Sequence, residues 1–354
     1  MNVAHLWYDE SVVARAARRL LAPASFLWRE GMALRSTLYD RGWRKSEAPP
    51  IPALSVGNLS VGGTGKTPVA AYLAAALQMR GARPALLMRG YGDDEPKVHA
   101  FLNPEIPVIV GADRRASARD AERRGCDVLV LDDAFQHRRV RRAVDIVLIA
   151  AEQWSDKIRT LPGGPYREGV SALARASMIL ITRKAASLED AQLVRSSVQR
   201  LTSHPVGIVS LQLGNVIRVS SPAEEQRNSR ITEILPLSAL RARRVLAIAG
   251  IGDPHSFARQ LTARGANVVL VSYADHHAFD AAETQSLARR AEAMDFVVCT
   301  LKDAVKLAPL WPRAVPSLWY VSQRIDLEEG GAQLEIELRR LLDARHAVPT
   351  PTAG

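Results

Sequence analysis

The stretch that decides the fold is Ala53-Leu-Ser-Val-Gly-Asn-Leu-Ser-Val-Gly-Gly-Thr-Gly-Lys-Thr-Pro68. An apolar run leads into a glycine-rich turn, and Lys66 and Thr67 then open a predicted helix. A strand, a glycine-rich turn, Lys-Thr and a helix in this order are the layout of a phosphate-binding P-loop. Backbone N–H groups of such a turn converge on phosphate oxygens, and the helix N-terminus adds positive potential. A glycine-rich turn that binds no nucleotide is the alternative.

The residues of this loop have distinct expected roles. Lys66 neutralises charge on the β- and γ-phosphates, and the Thr67 hydroxyl ligates Mg²⁺. Ser60 stands where the usual G-x-x-x-x-G-K-[ST] pattern has its first glycine. The predicted nucleotide contacts in the loop are Ser60, Gly62, Gly63, Thr64, Gly65, Lys66 and Thr67.

A second apolar run ends in two adjacent carboxylates, in the segment Asp127-Val-Leu-Val-Leu-Asp132-Asp133. Side chains alternate along a strand, so Asp132 and Asp133 should point in different directions and have different roles. We expect one of them to hold Mg²⁺, directly or through water, and the other to orient a neighbour or act in proton transfer. Gln136 and His137 follow just past the carboxyl end of the strand, where ligands bind in parallel sheets.

Three further polar segments follow predicted strands. The segment that begins at Arg89 carries Asp94 and Glu95, either of which could accept the proton of a hydroxyl substrate. A surface acidic turn is the alternative. His276 could contact nucleotide or substrate, although a solvated pair of loop histidines is equally economical. The basic run 137–142 either binds an anionic group or forms a solvated turn.

From Pro49 onward, short apolar runs alternate with helical stretches, which is typical of an α/β fold with a parallel sheet. The runs are nearly uninterrupted, as in strands that are covered on both faces. Strands are predicted at 53–57, 85–89, 108–111, 128–132, 145–149, 178–182, 245–249, 268–272, 296–300 and 318–321, and helices at 68–80, 113–124, 188–201, 254–264, 281–294 and 332–345.

Gly214 interrupts an apolar stretch, so 206–213 and 215–219 could form a hairpin, followed by a polar connector at 220–230. The predicted fold is a P-loop NTPase-type parallel sheet domain plus a second, smaller α/β/α domain, joined by a short β linker. We expect an amphipathic N-terminal segment at 1–46, the P-loop domain at 47–202, a β-hairpin linker at 203–235, a C-terminal α/β domain at 236–346 and a disordered tail at 347–354.

The charge balance indicates that the protein has an anionic partner. There are 47 Lys+Arg against 37 Asp+Glu, a formal net charge of +10, and most of the excess is arginine, which favours phosphate or carboxylate contacts. An aromatic content of 5% and the absence of a stacking motif or zinc module argue against nucleic acid. With only two cysteines, Cys126 and Cys299, a disulfide framework and a four-thiolate zinc site are excluded.

The N-terminal segment has two interpretations. Residues 11–45 mix Leu, Phe and Trp with arginines, a composition typical of a helix that lies in a membrane interface. A helix that packs on its own domain and exposes an arginine face fits equally well. No window reaches the 18 apolar residues of a membrane-spanning helix.

Taken together, the motifs resemble the tetraacyldisaccharide 4′-kinases, the lipid A 4′-kinases of Gram-negative bacteria. The resemblance runs in the family's order from about residue 10 to about residue 340, and it includes the serine at position 60. It implies two α/β/α domains joined by a small β linker, with ATP in the cleft and an N-terminal helix on the inner membrane. The motifs that carry it are SVGNLSVGGTGKTP, RGYG followed by DEP, LVLDDAFQH, LPGGPYRE, AIAGIGDPHSF, ADHHAF and TLKDAVKL.

The activity implied by the resemblance is transfer of the ATP γ-phosphate to the 4′-hydroxyl of a tetraacylated glucosamine disaccharide 1-phosphate. ATP and Mg²⁺ are the implied cofactors. The implied partners are this lipid and an anionic membrane surface, with no nucleic acid. The protein is expected to be a monomer on the cytoplasmic face of the bacterial inner membrane, peripheral or monotopic.

The same resemblance assigns roles to single residues, with Asp94 as the base. It implies Lys66, Asp94, Asp132, Asp133 and His137 as catalytic residues, His276 as a further nucleotide contact, Thr67 and Asp132 as metal ligands, and Glu95, Gln136, Arg138, Arg167 and Glu168 as substrate contacts.

Two departures from the family pattern affect the site. Asp94 follows Gly92 after one residue, where the family has a longer insert, so the shortened loop could shift the base or alter how the substrate is covered. Ala134 replaces a glycine, and would be strained if that position needs a positive φ.

Two other P-loop classes fit poorly. Val61 stands where the MinD/ParA-type ATPases have a lysine. Thr300-Leu-Lys-Asp303 has leucine at the second position of the guanine-binding [NT]-K-x-D pattern.

Overall fold

The computed structural model describes residues 3–9, 11–90, 94–219, 233–312 and 315–345. These residues form two compact units. The first comprises Met1–Arg89, Glu105–Val209 and Leu327–Gly354, and the second comprises Gly90–Pro104 and Ser210–Asp326. The predicted polar connector at 220–230 and the predicted tail at 347–354 lie outside the described residues.

Helices and strands alternate along most of the chain, so the predicted α/β class is confirmed. The described helices are α1 (Val3–Tyr8), α2 (Val12–Asp40), α3 (Lys66–Met79), α4 (Asp94–Leu102), α5 (Arg114–Arg123), α6 (Leu188–Gln199), α7 (Pro254–Ala263), α8 (Ala281–Ala291), α9 (Leu301–Leu307) and α10 (Gly331–Asp343). The strands are β1 (Ala53–Asn58), β2 (Pro84–Met88), β3 (Val108–Val110), β4 (Val128–Asp132), β5 (Val144–Ala150), β6 (Met178–Arg183), β7 (Val206–Arg218), β8 (Ile234–Leu235), β9 (Arg244–Ala249), β10 (Asn267–Ser272), β11 (Phe296–Thr300) and β12 (Leu318–Glu329).

The first unit contains a parallel sheet in the order β6-β5-β1-β4-β2-β3. Strands β1, β2 and β4 are buried along their whole length, as expected for strands covered on both faces. Strand β1 lies between β4 and β5, and the chain passes from β4 on one side of it to β5 on the other. Ligands bind at the carboxyl ends of strands at such a switch point.

The second unit contains its own parallel group, in the order β10-β9-β11-β12, with β7 next to β12. The short strand β8 pairs antiparallel with β7. Helix α4 belongs to this unit and packs against α9. The unit's apolar core includes Cys299, and both Cys126 and Cys299 are buried free thiols.

The predicted hairpin about Gly214 is wrong, because residues 206–218 form the single strand β7. Gly214 does not form a turn but allows two strands to approach closely. A Cβ atom at this position would lie 2.6 Å from Ser322 Oγ on β12. That hydroxyl accepts a hydrogen bond from the Asn215 amide at 2.8 Å and donates one to the Asn215 carbonyl at 3.1 Å. Glycine is therefore required for the approach of two strands.

Strand β12 is 12 residues long, whereas only its apolar start at 318–321 is evident in the sequence. Its charged end, in the first unit, is held by ion pairs. Arg183 pairs with Glu328, and Arg195 Nη1 lies 2.6 Å from Glu329 Oε2. The units also differ from the predicted domain boundaries, because α4 belongs to the second unit and α10 to the first.

Helix α2 packs on the first unit through polar contacts. Trp28 Nε1 donates to the Arg167 carbonyl at 2.9 Å, and Arg35 Nη2 donates to the Gln136 carbonyl at 2.8 Å. Arg138 Nη2 lies 2.6 Å from Asp40 Oδ1 near the end of the helix. Among the described residues, none of the helices combines the length and the apolar character needed to cross a membrane.

The turn after β4 is pressed against β1 at Gly57. A Cβ atom there would lie 2.5 Å from Phe135 Cβ and 2.9 Å from the Phe135 amide nitrogen. Phe135 is fully buried, so it has no room to retreat. The absence of a side chain at Gly57 therefore sets the distance between β1 and the turn that follows Asp132.

We predict that Gly57→Ala lowers the free energy of unfolding by about 1–3 kcal/mol, because overpacking forces the backbone apart. Urea unfolding of the full chain measures the change. Gly31→Ala is the matched control, since Gly31 lies inside α2 and a Cβ atom there meets nothing within 4 Å. The control should be neutral or stabilising by about 0.5–1 kcal/mol. Equal effects of the two substitutions would contradict the close contact.

Candidate active site

The phosphate loop between β1 and α3 has the predicted backbone form. Gly62 and Gly65 have φ values of 126° and 86°, which L-residues with a Cβ atom rarely adopt. Gly65 immediately precedes α3, so the loop leads directly into the N-terminus of this helix, where a phosphate is favoured. Ser60 has no positive φ, so the replacement of the usual first glycine by serine costs no backbone strain.

Neighbouring segments hold this loop in place. The buried Asn58 side chain donates to Thr64 Oγ1 at 2.9 Å, and Thr182 Oγ1 donates to the Thr64 carbonyl at 3.0 Å. The segment LPGGPYRE contributes backbone bonds, from Val61 N to Pro165 O at 2.8 Å and from Arg167 N to Leu59 O at 2.7 Å. The loop is thus preorganised before any ligand binds.

Lys66 and Thr67 open α3 beside the two aspartates. Lys66 Nζ lies 3.9 Å from Asp133 Oδ1, and Thr67 is buried. Arg167 Nη1 also reaches Asp133 Oδ1, at 2.9 Å. The lysine and the arginine therefore converge on one exposed carboxylate next to the phosphate loop.

Asp132 and Asp133 have different surroundings, as the alternation along β4 predicts. Asp132 is 4% exposed and pairs in register with Val56 of β1, whereas the Asp133 side chain is 38% exposed. Asp133 has a φ of 49°, in the left-handed region where aspartate is tolerated better than most residues. Ala134 has no positive φ, so its replacement of a glycine brings no strain.

Gln136 ties the turn to β1 and to Arg167. Its Nε2 donates to the Asn58 carbonyl at 2.8 Å, and its Oε1 accepts from Arg167 Nη1 at 3.4 Å. Because Asn58 also holds Thr64, the turn after β4 and the phosphate loop share one hydrogen-bonding residue.

His137 lies in a positively charged environment. Burial lowers the pKa of His137 to about 4, and Arg114, Arg142, Arg139 and Arg89 add to the shift. The imidazole is therefore neutral at pH 7 and can donate or accept a hydrogen bond without adding charge.

Arg114 was not predicted from the sequence. It is buried at the start of α5, and burial lowers its pKa to about 10, while the charges of Asp132 and Asp133 act to raise it. A guanidinium with this pKa still carries its charge at neutral pH. The only signal for it in the sequence was a basic residue at the start of the helix that follows β3.

Arg138 and Glu168, which are predicted to contact substrate, form hydrogen bonds and ion pairs with other side chains of the first unit. Arg138 Nη1 donates to the Ser36 carbonyl and hydroxyl oxygens, in addition to its ion pair with Asp40. Glu168 is buried, and its Oε2 lies 2.9 Å from Arg175 Nη2. The arginine cation in turn lies 4.6 Å from the centroid of the Phe135 ring.

The second unit contains a separate acid–histidine pair. Asp94 begins α4 and is 2% exposed, so the alternative of a surface acidic turn is wrong. His276 Nδ1 lies 3.0 Å from Asp94 Oδ1 and 3.2 Å from Oδ2. An ionised carboxylate only accepts hydrogen bonds, so Nδ1 carries the proton in this contact.

The charge state of Asp94 follows from its neighbours. Burial acts to raise the pKa of Asp94, but the hydrogen bond from His276 and the charges of Lys302 and Lys306 outweigh it, and the pKa lies below its usual range. Lys302 Nζ also lies 3.3 Å from Glu95 Oε1. Asp94 is therefore a carboxylate at neutral pH. The lysines of α9 were not predicted as site residues, although the sequence TLKDAVKL contains both.

Comparison with known proteins agrees with the motifs. A family model described as tetraacyldisaccharide-1-P 4′-kinase matches residues 17–342 of the chain. A tetraacyldisaccharide 4′-kinase of Syntrophus aciditrophicus (strain SB) is 34% identical over 366 residues, covering 91% of this chain and 93% of the relative. Another, of Anaeromyxobacter dehalogenans (strain 2CP-C), is 37% identical over 323 residues, covering 82% and 81%.

Solved structures give the same result. The fold is similar to that of LpxK from Aquifex aeolicus, crystallised in complex with ATP, with a TM-score of 0.70 and 27% sequence identity. The match covers 92% of this chain and 99% of that chain. Since the family model spans most of the sequence and the relatives align over most of their own length, this chain belongs to the tetraacyldisaccharide-1-P 4′-kinase family.

Proposed function

We propose that this protein transfers the γ-phosphate of ATP to the 4′-hydroxyl of a tetraacyldisaccharide 1-phosphate in lipid A biosynthesis. The observation that carries the proposal is the preorganised phosphate loop, with Lys66 and Arg167 both directed at Asp133 beside it. Family membership supplies the lipid acceptor, which the loop alone does not specify. Kinases of this kind act mainly by positioning and by electrostatic stabilisation of the phosphoryl group.

The loop residues have the chemistry to receive a nucleotide. Backbone N–H groups around Gly62, Gly63 and Gly65 and the N-terminus of α3 favour phosphate oxygens. The Lys66 ammonium and the Arg167 guanidinium can leave their shared contact with Asp133 and neutralise charge on the transferred group. ATP, when bound, supplies the phosphoryl group.

The donor set also fits Mg²⁺. Thr67 offers a buried hydroxyl and Asp132 a buried carboxylate, the hard oxygen ligands that Mg²⁺ prefers. In the part of the chain that the structure describes, no group of three or more His, Cys, Asp and Glu residues could hold a metal ion by itself. Mg²⁺ commonly uses one or two protein oxygens together with phosphates and water, and it would neutralise the developing charge.

We propose Asp94 as the base, acting together with His276. The carboxylate is ionised and accepts from Nδ1, which fixes the orientation of the ring. The Asp94–His276 pair then takes up the proton of the sugar hydroxyl. Glu95, one residue further along, is held by Lys302 and is retained as a proposed substrate contact.

A membrane surface is proposed as the second partner, through α2. Val13, Leu20, Leu27 and Leu34 are spaced by seven residues, nearly two helical turns, and all four are exposed. An exposed apolar stripe flanked by arginines is typical of helices that lie in the membrane interface. Trp28 and Arg35 each follow a member of the stripe and so lie about 100° around the helix from it. They contact the first unit, so the two original interpretations of this segment are compatible. We place the protein at the cytoplasmic face of the inner membrane as part of this proposal.

The activity predicts lipid-dependent loss of the ATP γ-phosphate. We expect transfer of ³²P from γ-labelled ATP to a tetraacyldisaccharide 1-phosphate, and no comparable transfer to water or RNA. Lys66→Ala and Asp132→Asn should each lower kcat by at least about 100-fold, because each removes a charge near the transferred group. Asp120→Asn, on the outer surface of α5, is the matched control and should keep parental activity. Absence of lipid-dependent transfer by the intact protein would refute the proposal.

For the base, Asp94→Asn keeps the shape of the side chain and removes its ability to accept a proton. We expect kcat to fall by about 100-fold or more, in the range of general-base contributions, with little change in the Kd for ATP. Steady-state kinetics and ATP titration by calorimetry measure the two quantities. Normal turnover by Asp94→Asn would move the base elsewhere, with Asp133 as the next candidate.

For the membrane, the double variant Leu20→Glu with Leu27→Glu should reduce co-sedimentation with vesicles of phosphatidylethanolamine and phosphatidylglycerol by at least about 10-fold, because burial of each leucine contributes about 1.5–3 kcal/mol. Leu193→Glu with Leu201→Glu changes two exposed leucines of the first unit outside α2 and serves as the control. If the α2 variant still pellets like the parent, α2 does not provide the apolar contact.

A further inference from the structure

Next to the Asp94–His276 pair lies a buried lysine that no step above uses. Lys306 Nζ is 3.6 Å from Asp94 Oδ2 and 3.5 Å from Asp303 Oδ1. Both carboxylates are almost completely buried. The ammonium also lies 5.5 Å from the centroid of the Phe279 ring, within the range of a cation–π contact. One cation therefore stands between two buried carboxyl groups.

Asp303 is held rigidly by the strand ends around it. The Gly250 amide donates to both of its carboxylate oxygens at 3.1 Å, and Thr300 Oγ1 donates to Oδ2 at 2.7 Å. A Cβ atom at Gly250 would lie 3.0 Å from Asp303 Oδ1, so glycine permits this close approach. Asp303 thus fixes the place of Lys306, which follows one turn later on α9.

Helix α9 contacts the start of α4 at two points. Lys302 Nζ reaches Glu95 Oε1 at 3.3 Å, and Lys306 reaches the neighbouring Asp94. His276 approaches Asp94 from the loop after β10. The charged groups that face Asp94 are therefore His276, Lys302 and Lys306, with Glu95 and Asp275 next to them.

We propose that Lys306, held by Asp303, is a positioning residue of the phosphate-transfer reaction, which fixes Asp94 against His276 and keeps it ionised. The inference rests on the proposed function. Without the ammonium, two buried carboxylates would lose the cation that they share, and a buried charge without its partner is strongly disfavoured. Asp94 would then take up a proton more readily, or turn away from His276.

The direction of the pH effect follows from this contact. The charge of Lys306 is one of the influences that lower the pKa of Asp94, so its removal raises that pKa. Activity that needs the Asp94 carboxylate is lost as the pH falls through this pKa. The acidic limb of the pH–rate profile therefore moves to higher pH in the variant.

Lys306→Met tests the proposal in the full-length protein, with ATP and a tetraacyldisaccharide 1-phosphate as substrates. Between about pH 3 and about pH 8, we expect the acidic limb of kcat to move up by about one pH unit, since a neighbouring charge shifts a pKa by this order. At pH 7, kcat should fall about 10-fold or more while the KM for ATP changes less than about 2-fold. Lys97→Met removes the same charge from an exposed position on α4 and should behave like the parent.

Two further variants distinguish the loss of the Lys306 charge from a loss of folding. Lys306→Arg restores a cation and should return the acidic limb to its parental position. Lys306→Gln keeps hydrogen-bond donors but no charge, and should shift the limb as Lys306→Met does, which keeps the test decisive if the methionine variant unfolds. Circular dichroism melting shows which variants are folded.

Folded Lys306→Met or Lys306→Gln enzyme with the profile of Lys97→Met would overturn the proposal, and so would a failure of Lys306→Arg to restore the limb. These results would leave the proposed function intact, since parent and control remain active. A parent protein without lipid-dependent transfer would instead remove the proposed function and this inference together.

Discussion

The arrangement of the first unit depends on the contact between Gly57 and Phe135. Because β1 has no side chain at that point, the turn after β4 can lie directly on the strand that leads into the phosphate loop. Asp133 then stands beside Lys66, and Gln136 can bond the Asn58 carbonyl while the Asn58 side chain bonds Thr64. A displacement of about 1 Å would separate groups whose charges we propose to act on the same phosphate.

In both units, carboxylates with expected chemical roles are held by basic side chains. Asp133 faces Lys66 and Arg167 in the first unit, and Asp94 faces His276, Lys302 and Lys306 in the second. The effects differ, because Asp133 is partly exposed and its cations can be drawn away by a phosphate, whereas Asp94 is buried and its cations keep it ionised. A buried carboxylate next to cations is a group with a defined charge state, which suits proton transfer.

The sequence alone predicted the parallel sheet and the phosphate loop well, because apolar runs and glycine positions are local signals. Strands β4 and β11 have the predicted bounds. Gly214 and the end of β12 could not be predicted, since Ser322 and the partners of Glu328 are distant in the chain. The positioning of Asp94 by Lys306 was missed for the same reason, because it depends on the packing of α4 against α9.

Several arginines that contribute to the positive charge of the chain make structural contacts within the first unit. Arg138 binds Ser36 and Asp40, Arg142 lies 2.9 Å from the Asp145 carboxylate, and Arg35 donates to the Gln136 carbonyl. These arginines, which the sequence associated with membrane or phosphate contacts, hold α2 and the turn after β4 in place. The membrane proposal therefore rests mainly on the exposed leucine stripe of α2. Arginine holds the helix on the first unit, and the apolar stripe remains exposed.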